Sequence, residues 1–366
     1  MPLFPDAPTT IHPYFGYRSE AGLYVNARAL RQREPGFERE GSLRAFATLL
    51  SQYASHEVRD LPVTLEARAG DGSVHRFDSV TDAEGFATFD LTLPDAWDRP
   101  ATPVWESVLF HYENGDGPQC AEGHVLVPGG ESDLAIISDI DDTIIETGVT
   151  GGIGSVLKNW RRLLATMPGS RDAVAGADRL YGTLGGEPQE TGAAGGRMRA
   201  SRRPFFYVSS SPWNLYAYLV AFKRAKGLPL GPMALRDWGL NRETFGSGSH
   251  GGHKVQAIRR IVAAFPELRF ALVGDDTQGD LPAYAEVAAA DPGRIAAIFI
   301  RRASPEAFTA EERQARDTIR AAGIPLWVGP SYEEGEAFLR DTGLAGETEA
   351  EQLVAAVEDE ATKGGK

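Results

Sequence analysis

Thiols are all but missing from this chain: Cys120 is the only cysteine in 366 residues. That excludes an intramolecular disulfide and a cysteine-based metal site. Basic residues are in deficit, with 37 Lys and Arg against 51 Asp and Glu, a formal net charge of -14 and a pI near 5.0. Bulk electrostatics therefore argue against a general nucleic-acid binder and against passive attraction to an anionic membrane, while leaving local basic patches free to act. No run of 18 apolar residues occurs, and Met1-Pro2-Leu3-Phe4-Pro5-Asp6 lacks a basic segment followed by an apolar core. Neither a transmembrane segment nor a signal peptide is expected, and the cytoplasm is the expected compartment. Internal repeats are absent too.

What is present is 42% hydrophobic residues, enough for globular cores, in a chain long enough to predict two domains. Residues 1–130 read as β structure. Apolar alternation and turn residues predict strands over 23–30, 63–68, 74–77, 86–91, 104–110 and 124–127, with Gly70-Asp71-Gly72-Ser73 and Thr81-Asp82-Ala83-Glu84-Gly85 as turns. The second of these reads as a hairpin turn without a ligand. Short strands between Gly, Asp and Pro turns predict a small antiparallel β-sandwich, with one helix over 41–53.

Pro128-Gly129-Gly130-Glu131-Ser132 marks a boundary. Beyond it, strands at 134–138, 204–208, 269–273, 295–300 and 325–328 alternate with helices at 153–167, 213–226, 254–265, 282–290 and 310–322, the pattern of a parallel α/β sheet. Residues 131–345 form this second expected domain, with an insertion at about 150–200. Residues 346–366, rich in Glu and Ala, read as a final helix with a frayed tail.

The chemistry concentrates where the apolar runs end. The first runs into Ser138-Asp139-Ile140-Asp141-Asp142-Thr143. Aspartate is a poor strand former, and three so close together repel one another, so the cluster needs a cation or a reaction to justify it. On an extended chain Asp139 and Asp141 share a side. The second run, Phe205-Phe206-Tyr207-Val208, ends in Ser209-Ser210-Ser211-Pro212 before a helix whose N-terminus favours anions. Ser211 reads as the cap of that helix, leaving Ser209 for a ligand. Lys254 follows Gly251-Gly252-His253 at the expected start of a helix, where its charge opposes the dipole. The fourth run, Phe270-Ala271-Leu272-Val273, ends in Gly274-Asp275-Asp276-Thr277-Gln278-Gly279-Asp280. All four elements fall at the carboxyl edge of a parallel sheet, where ligands bind. Carboxylates for Mg²⁺, an aspartate nucleophile, a second aspartate for proton transfer, and hydroxyl and lysine groups for phosphate make a complete set for phosphoryl transfer.

The order Asp-x-Asp-x-Thr, Ser, Lys, Gly-Asp-x4-Asp resembles the phosphatases of the haloacid dehalogenase superfamily. Residues 137–144, 208–215 and 274–280 look more narrowly like the actin-patch-protein type of phosphatidate phosphatase, a relative of the lipins. The resemblance covers roughly residues 130–330. It implies a Rossmann-like hydrolase domain with a small helical cap, preceded by the β-sandwich. It implies Asp139 as nucleophile and Asp141 as general acid/base. Ser209, Ser210 and Lys254 would hold the phosphoryl group, and Asp139, the main-chain carbonyl of Asp141, Asp275 and Asp280 would hold Mg²⁺. Two departures stand out: Asp142 occupies a position that is glycine in many superfamily members, and Asp276 one that is usually small in this branch. Either Asp275 or Asp276 pairs with Asp280; Asp275, directly after Gly274, is favoured.

The implied substrate is phosphatidate at a membrane surface, giving diacylglycerol and phosphate. Rival readings are a soluble sugar-phosphate or nucleotide phosphatase and a non-catalytic membrane- or protein-binding module. The helix around Trp160 and the cluster Arg197, Arg199, Arg202 and Arg203 are candidate membrane contacts, weighed against a packed cap and a solvated loop. His250 and His253 read as solvated members of a connector, with no zinc role. The sequence does not set an oligomeric state.

Overall fold

The computed structural model describes residues 8–31, 56–94, 97–141, 143–145, 174–186, 200–236 and 250–345. The expected helices at 41–53, 153–167 and 346–366 lie outside the described residues, as do Trp160, Arg197 and Arg199.

Two sheets carry the fold. The first is built from β1 (Thr9–Pro13), β2 (Gly16–Arg18), β3 (Gly22–Arg31), β4 (His56–Glu57), β5 (Pro62–Arg68), β6 (Val74–Val80), β7 (Phe86–Thr92), β8 (Val104–Asn114) and β9 (Gly117–Val127). Its main path runs β1-β3-β2-β9-β8-β5-β6, with β4 and β7 also paired to β3. The six strands expected here are present, each longer than the periodicity suggested. Their alternate side chains, including Val25, Ala27, Val63, Leu65, Phe89 and Phe110, form one buried core. Two expectations need correction. β2 pairs with β9 in parallel, so the sheet is not purely antiparallel. The turn at 81–85 is not that of a hairpin, because β6 pairs with β5 and β7 with β3.

The second sheet contains β10 (Leu134–Ser138), β11 (Phe205–Pro212), β12 (Met233–Arg236), β13 (Arg269–Asp275), β14 (Ile295–Arg301) and β15 (Leu326–Gly329). All its pairings are parallel, in the order β12-β11-β10-β13-β14-β15. Counted from β10, this is 3-2-1-4-5-6, which reverses direction between β10 and β13. Near-continuous apolar strands such as Leu134–Ser138 make sense here, because both faces are covered. Ile136, Phe205, Tyr207, Val273 and Phe299 face one core, with α1 (Ala177–Gly185), α2 (Tyr216–Ala225) and α6 (Gly335–Asp341). Ile137, Phe206, Val208, Leu272 and Ile298 face the other, with α3 (His250–Ala264), α4 (Asp280–Ala290) and α5 (Ala310–Ala321). The first sheet contributes Tyr14 and Phe86 to one of these cores and Tyr17 and Leu126 to the other. Helix α1 lies within the expected 150–200 insertion and packs on the sheet, the Tyr181 ring 5.5 Å from Phe205.

Candidate active site

The strand order reverses between β10 and β13, and an open α/β sheet binds ligands in the crevice at the carboxyl ends of the strands at such a point. Asp139 leaves β10 with its N–H still bonded to the Val273 carbonyl at 2.8 Å. The chain then coils: Ile144 N–H bonds the Ile140 carbonyl at 2.9 Å, and Ile140, Ile144 and Ile145 anchor the loop in the core. Asp139 and Asp141 lie on one edge, and their carboxylates make different contacts.

Asp139, Asp275 and Asp280 offer ligand oxygens all within 4.8 Å of one another, and all three residues are fully buried. Asp280 stands in the first turn of α4, where the dipole favours a carboxylate. It accepts the Asp275 N–H at 3.1 Å. Gly274 permits this approach, since a Cβ there would meet the Asp280 carboxylate at 2.5 Å. Thr143 donates its hydroxyl to Asp275 at 3.0 Å, with Asp139 at 3.3 Å, and the Thr277 hydroxyl bonds Asp275 at 2.5 Å. Lys254, 1% exposed, contacts Asp139 at 2.9 Å and also Asp280.

Three buried carboxylates beside one ammonium leave negative charge in surplus. Burial, and then the Asp280 charge, raise the Asp139 carboxyl well above its ordinary range, with Lys254 opposing them. Burial and Asp280 likewise push Asp275 up to about 7. Burial disfavours the Lys254 ammonium, but Asp139, Asp280 and Asp275 outweigh it and raise its proton affinity. An all-oxygen donor set with surplus negative charge suits a hard metal cation.

Two residues beyond Asp139, Asp141 is held by β11. Ser209 Oγ donates to it at 2.6 Å and Ser211 Oγ at 2.7 Å. Ser211 N–H bonds Ser209 Oγ at 2.9 Å. Ser211 is thus not the expected helix cap. The strand continues through it, Pro212 precedes the 3-10 turn at 213–215, and no side chain caps that turn. Ser210 is buried on the same strand.

Residues 134–302 match the family model described as the catalytic domain of phosphatidate phosphatase APP1. This stretch of the chain is thus similar to that catalytic-domain family. The chain is 33% identical to phosphatidate phosphatase APP1 of Saccharomyces cerevisiae over 263 residues, 68% of this chain and 39% of that protein. It is 27% identical to an uncharacterized protein of Schizosaccharomyces pombe over 233 residues, 62% of this chain and 35% of that one. The chain thus spans less than two fifths of the length of the curated relatives it matches. A solved Bifidobacterium dentium β-glucuronidase overlaps 88% of this chain and 60% of its own, at 9% identity and a TM-score of 0.23, too low to bear on the fold.

The APP1-type segment 134–302 contains every side chain of the crevice described above. It also separates the two adjacent aspartates. The Asp276 carboxylate accepts the N–H groups of Ala303 and Ser304 at 2.7 and 2.9 Å and pairs with Arg302 at 2.8 Å. It ties down the loop after β14, while Asp275 faces Asp139 and Asp280. Lys254 lies beside Asp139 and Asp280, but α3 begins four residues before it, so it sits a full turn inside the helix. Of the candidate membrane arginines, Arg202 is exposed, while one guanidinium nitrogen of Arg203 bonds the Leu184 and Leu344 carbonyls. His253 is half-buried in α3, not in a solvated connector. Sequence reasoning gave no role to Thr143, although it is part of the Asp-x-Asp-x-Thr pattern. It missed Tyr181, whose hydroxyl is 2.5 Å from Ser138 Oγ, and no local signal marks that residue. Among the described residues, no helix is long and apolar enough to cross a membrane.

Proposed function

We propose that this chain is a Mg²⁺-dependent phosphomonoester hydrolase that converts phosphatidate to diacylglycerol and phosphate. The observation that carries the reading is the buried Asp139–Asp275–Asp280 cluster with Lys254, inside a segment similar to the APP1 catalytic family. The 3-2-1-4-5-6 sheet with helices on both faces supports a Rossmann-like domain of the haloacid dehalogenase type. In this reading residues 1–130 are a β-sandwich, 131–345 the catalytic domain with a cap insertion at about 150–200, and 346–366 a tail.

Asp139 attacks phosphorus, the phosphorus–ester oxygen bond breaks, and the leaving oxygen takes a proton from Asp141. Asp141 then removes a proton from water as that water's oxygen displaces Asp139 from phosphorus, releasing phosphate and regenerating both aspartates. Asp139, Asp275, Asp280 and the main-chain carbonyl of Asp141 would hold Mg²⁺, which when bound neutralises charge on the phosphoryl oxygens. Lys254 is close enough to Asp139 to serve an incoming phosphoryl group as well. The Ser209 and Ser211 hydroxyls hold the Asp141 carboxylate in place for these proton transfers.

Phosphatidate presents its phosphate at a lipid surface, so the enzyme would act peripherally on a cytoplasmic membrane face. Phosphate release from phosphatidate micelles and from a panel of soluble phosphomonoesters, with Mg²⁺ and with EDTA, tests the reading. Mg²⁺-dependent turnover favouring phosphatidate is expected. Turnover confined to sugar phosphates or nucleotides would replace the substrate, and no turnover on any phosphomonoester would overturn the proposal.

A further inference from the structure

The segment after the crevice serines, Trp213-Asn214-Leu215, has no task in the chemistry above, yet it is bound tightly to the first sheet. The Trp213 ring lies 4.7 Å from Tyr14 and 5.7 Å from Phe86. The Tyr216 ring lies 4.6 Å from Tyr14, and its hydroxyl accepts the Phe15 N–H at 2.7 Å. At the centre is Arg28 of β3, only 7% exposed. Its Nη1 donates to Asn214 Oδ1 at 2.7 Å, its Nε to the Glu84 carbonyl at 2.9 Å, and its Nη2 to Glu57 at 3.1 Å. Its guanidinium stands 4.8 Å from the Phe86 ring.

The planar fork is therefore fixed by three separate parts of the chain, which sets its direction as well as its charge. The turn that supplies Glu84 is itself rigid. Asp82 Oδ1 accepts the N–H groups of Glu84 and Phe86, both at 2.9 Å. Gly85 takes φ +79°, and a Cβ there would come 2.6 Å from the Ala29 carbonyl. The turn at 81–85 thus holds Arg28 in place, and Arg28 holds Asn214, three residues beyond Ser211.

We infer that Arg28 is a positioning residue for the reaction: through Asn214 it fixes segment 209–214, and with it the serine hydroxyls that meet Asp141, relative to the carboxylate cluster. The first sheet is then a working part of the active site. The catalytic half of this inference rests on the proposed phosphatase reading; the positioning half does not.

The test uses the full chain with Arg28→Gln, Asn214→Ala, the double variant, and Arg18→Gln as control. Arg18 is as deeply buried in the first sheet, but bonds Glu106 at 2.8 Å and the Asp98 carbonyl at 3.0 Å instead of Asn214. Amide exchange over residues 208–216 should accelerate in Arg28→Gln and Asn214→Ala and not in Arg18→Gln. With 4-nitrophenyl phosphate, each single variant should lose kcat about tenfold with little change in KM, the scale of a small misplacement. The double variant should be no worse than the weaker single, because both remove one contact. Unchanged exchange in Arg28→Gln, multiplying losses in the double variant, or an equal loss in folded Arg18→Gln would each overturn the inference. A wild-type protein inactive on every phosphomonoester would sink the phosphatase reading, and exchange would still decide the positioning.

Discussion

Replacing Asp275 by asparagine should stabilise the metal-free protein at pH 8 and abolish its stabilisation by Mg²⁺. Lys254 is bonded to Asp139 and Asp280, whereas the Asp275 charge is met by the hydroxyls of Thr143 and Thr277. Its carboxyl is raised from 3.8 to about 7, by burial first and Asp280 second. Between those values the folded protein holds a proton that the unfolded chain has released, so unfolding free energy falls as pH rises. The benefit is complete below about 4 and lost above about 7. A shift of roughly three units, at 1.36 kcal/mol each, sets a ceiling of about 4 kcal/mol. Side-chain relaxation and water entry lower it, so a gain of about 1–4 kcal/mol is expected for the neutral amide at pH 8. Asparagine keeps the shape, and the Thr143 hydroxyl can accept from the amide as readily as it donates to the acid. Urea denaturation in EDTA at pH 5 and pH 8, and in Mg²⁺ at pH 8, measures this. The advantage of the variant should shrink toward pH 5, where wild-type Asp275 carries its proton, and reverse in Mg²⁺, which binds the wild type alone. A variant less stable than wild type in EDTA at pH 8, or one equally stabilised by Mg²⁺, would refute the reasoning.

Asp139→Asn should lose at least ~10³-fold in phosphate release while folding normally, because an amide does not form the acyl phosphate; a folded variant with substantial turnover would remove Asp139 as nucleophile. Asp141→Asn should lose roughly 10²–10⁴-fold yet keep Mg²⁺-dependent stabilisation, since its expected metal contact is through the main chain; weakened metal binding with intact single-turnover chemistry would reverse the roles. Asp276→Ala should cost about 1–3 kcal/mol of stability by stranding Arg302 and two backbone N–H groups, without raising the Mg²⁺ requirement. Asp275→Ala should raise that requirement, and a larger rise in Asp276→Ala on magnesium titration would exchange the two assignments.

Most strands of the second sheet were legible because burial on both faces gives apolar runs that stop abruptly at a polar residue or Gly. β12 was not: Met233-Ala234-Leu235-Arg236 is short, follows Gly231-Pro232, and buries only Met233 and Leu235 fully. The start of α3 was misplaced for a related reason. Gly251 and Gly252 have poor helix propensity, and the fold overrides it. In the first sheet, alternation identified single strands but not their partners. A two-residue period states which side chains share a face and carries no register between distant segments. The turn at 81–85 was therefore read as a hairpin, although its flanking strands pair elsewhere.

The site divides along the same line. Carboxylates at the end of an apolar run are local signals, which is why Asp139, Asp141, Asp275 and Asp280 could be named. Which oxygen faces which partner is not local. Asp275 and Asp276 are neighbours in sequence, but adjacent residues at a strand end point to opposite sides, one into the cluster and the other onto the loop after β14. Ser211 has the composition of a cap and the position of a strand residue bonded to Asp141. The Arg28–Asn214 bond joins residues 186 positions apart, beyond the reach of any motif. A search confined to the family segment would also pass over it, because Arg28 lies outside residues 134–302. If the serines depend on that bond for their place, the boundary of the functional unit is set by a buried guanidinium and not by the end of the recognisable catalytic sequence.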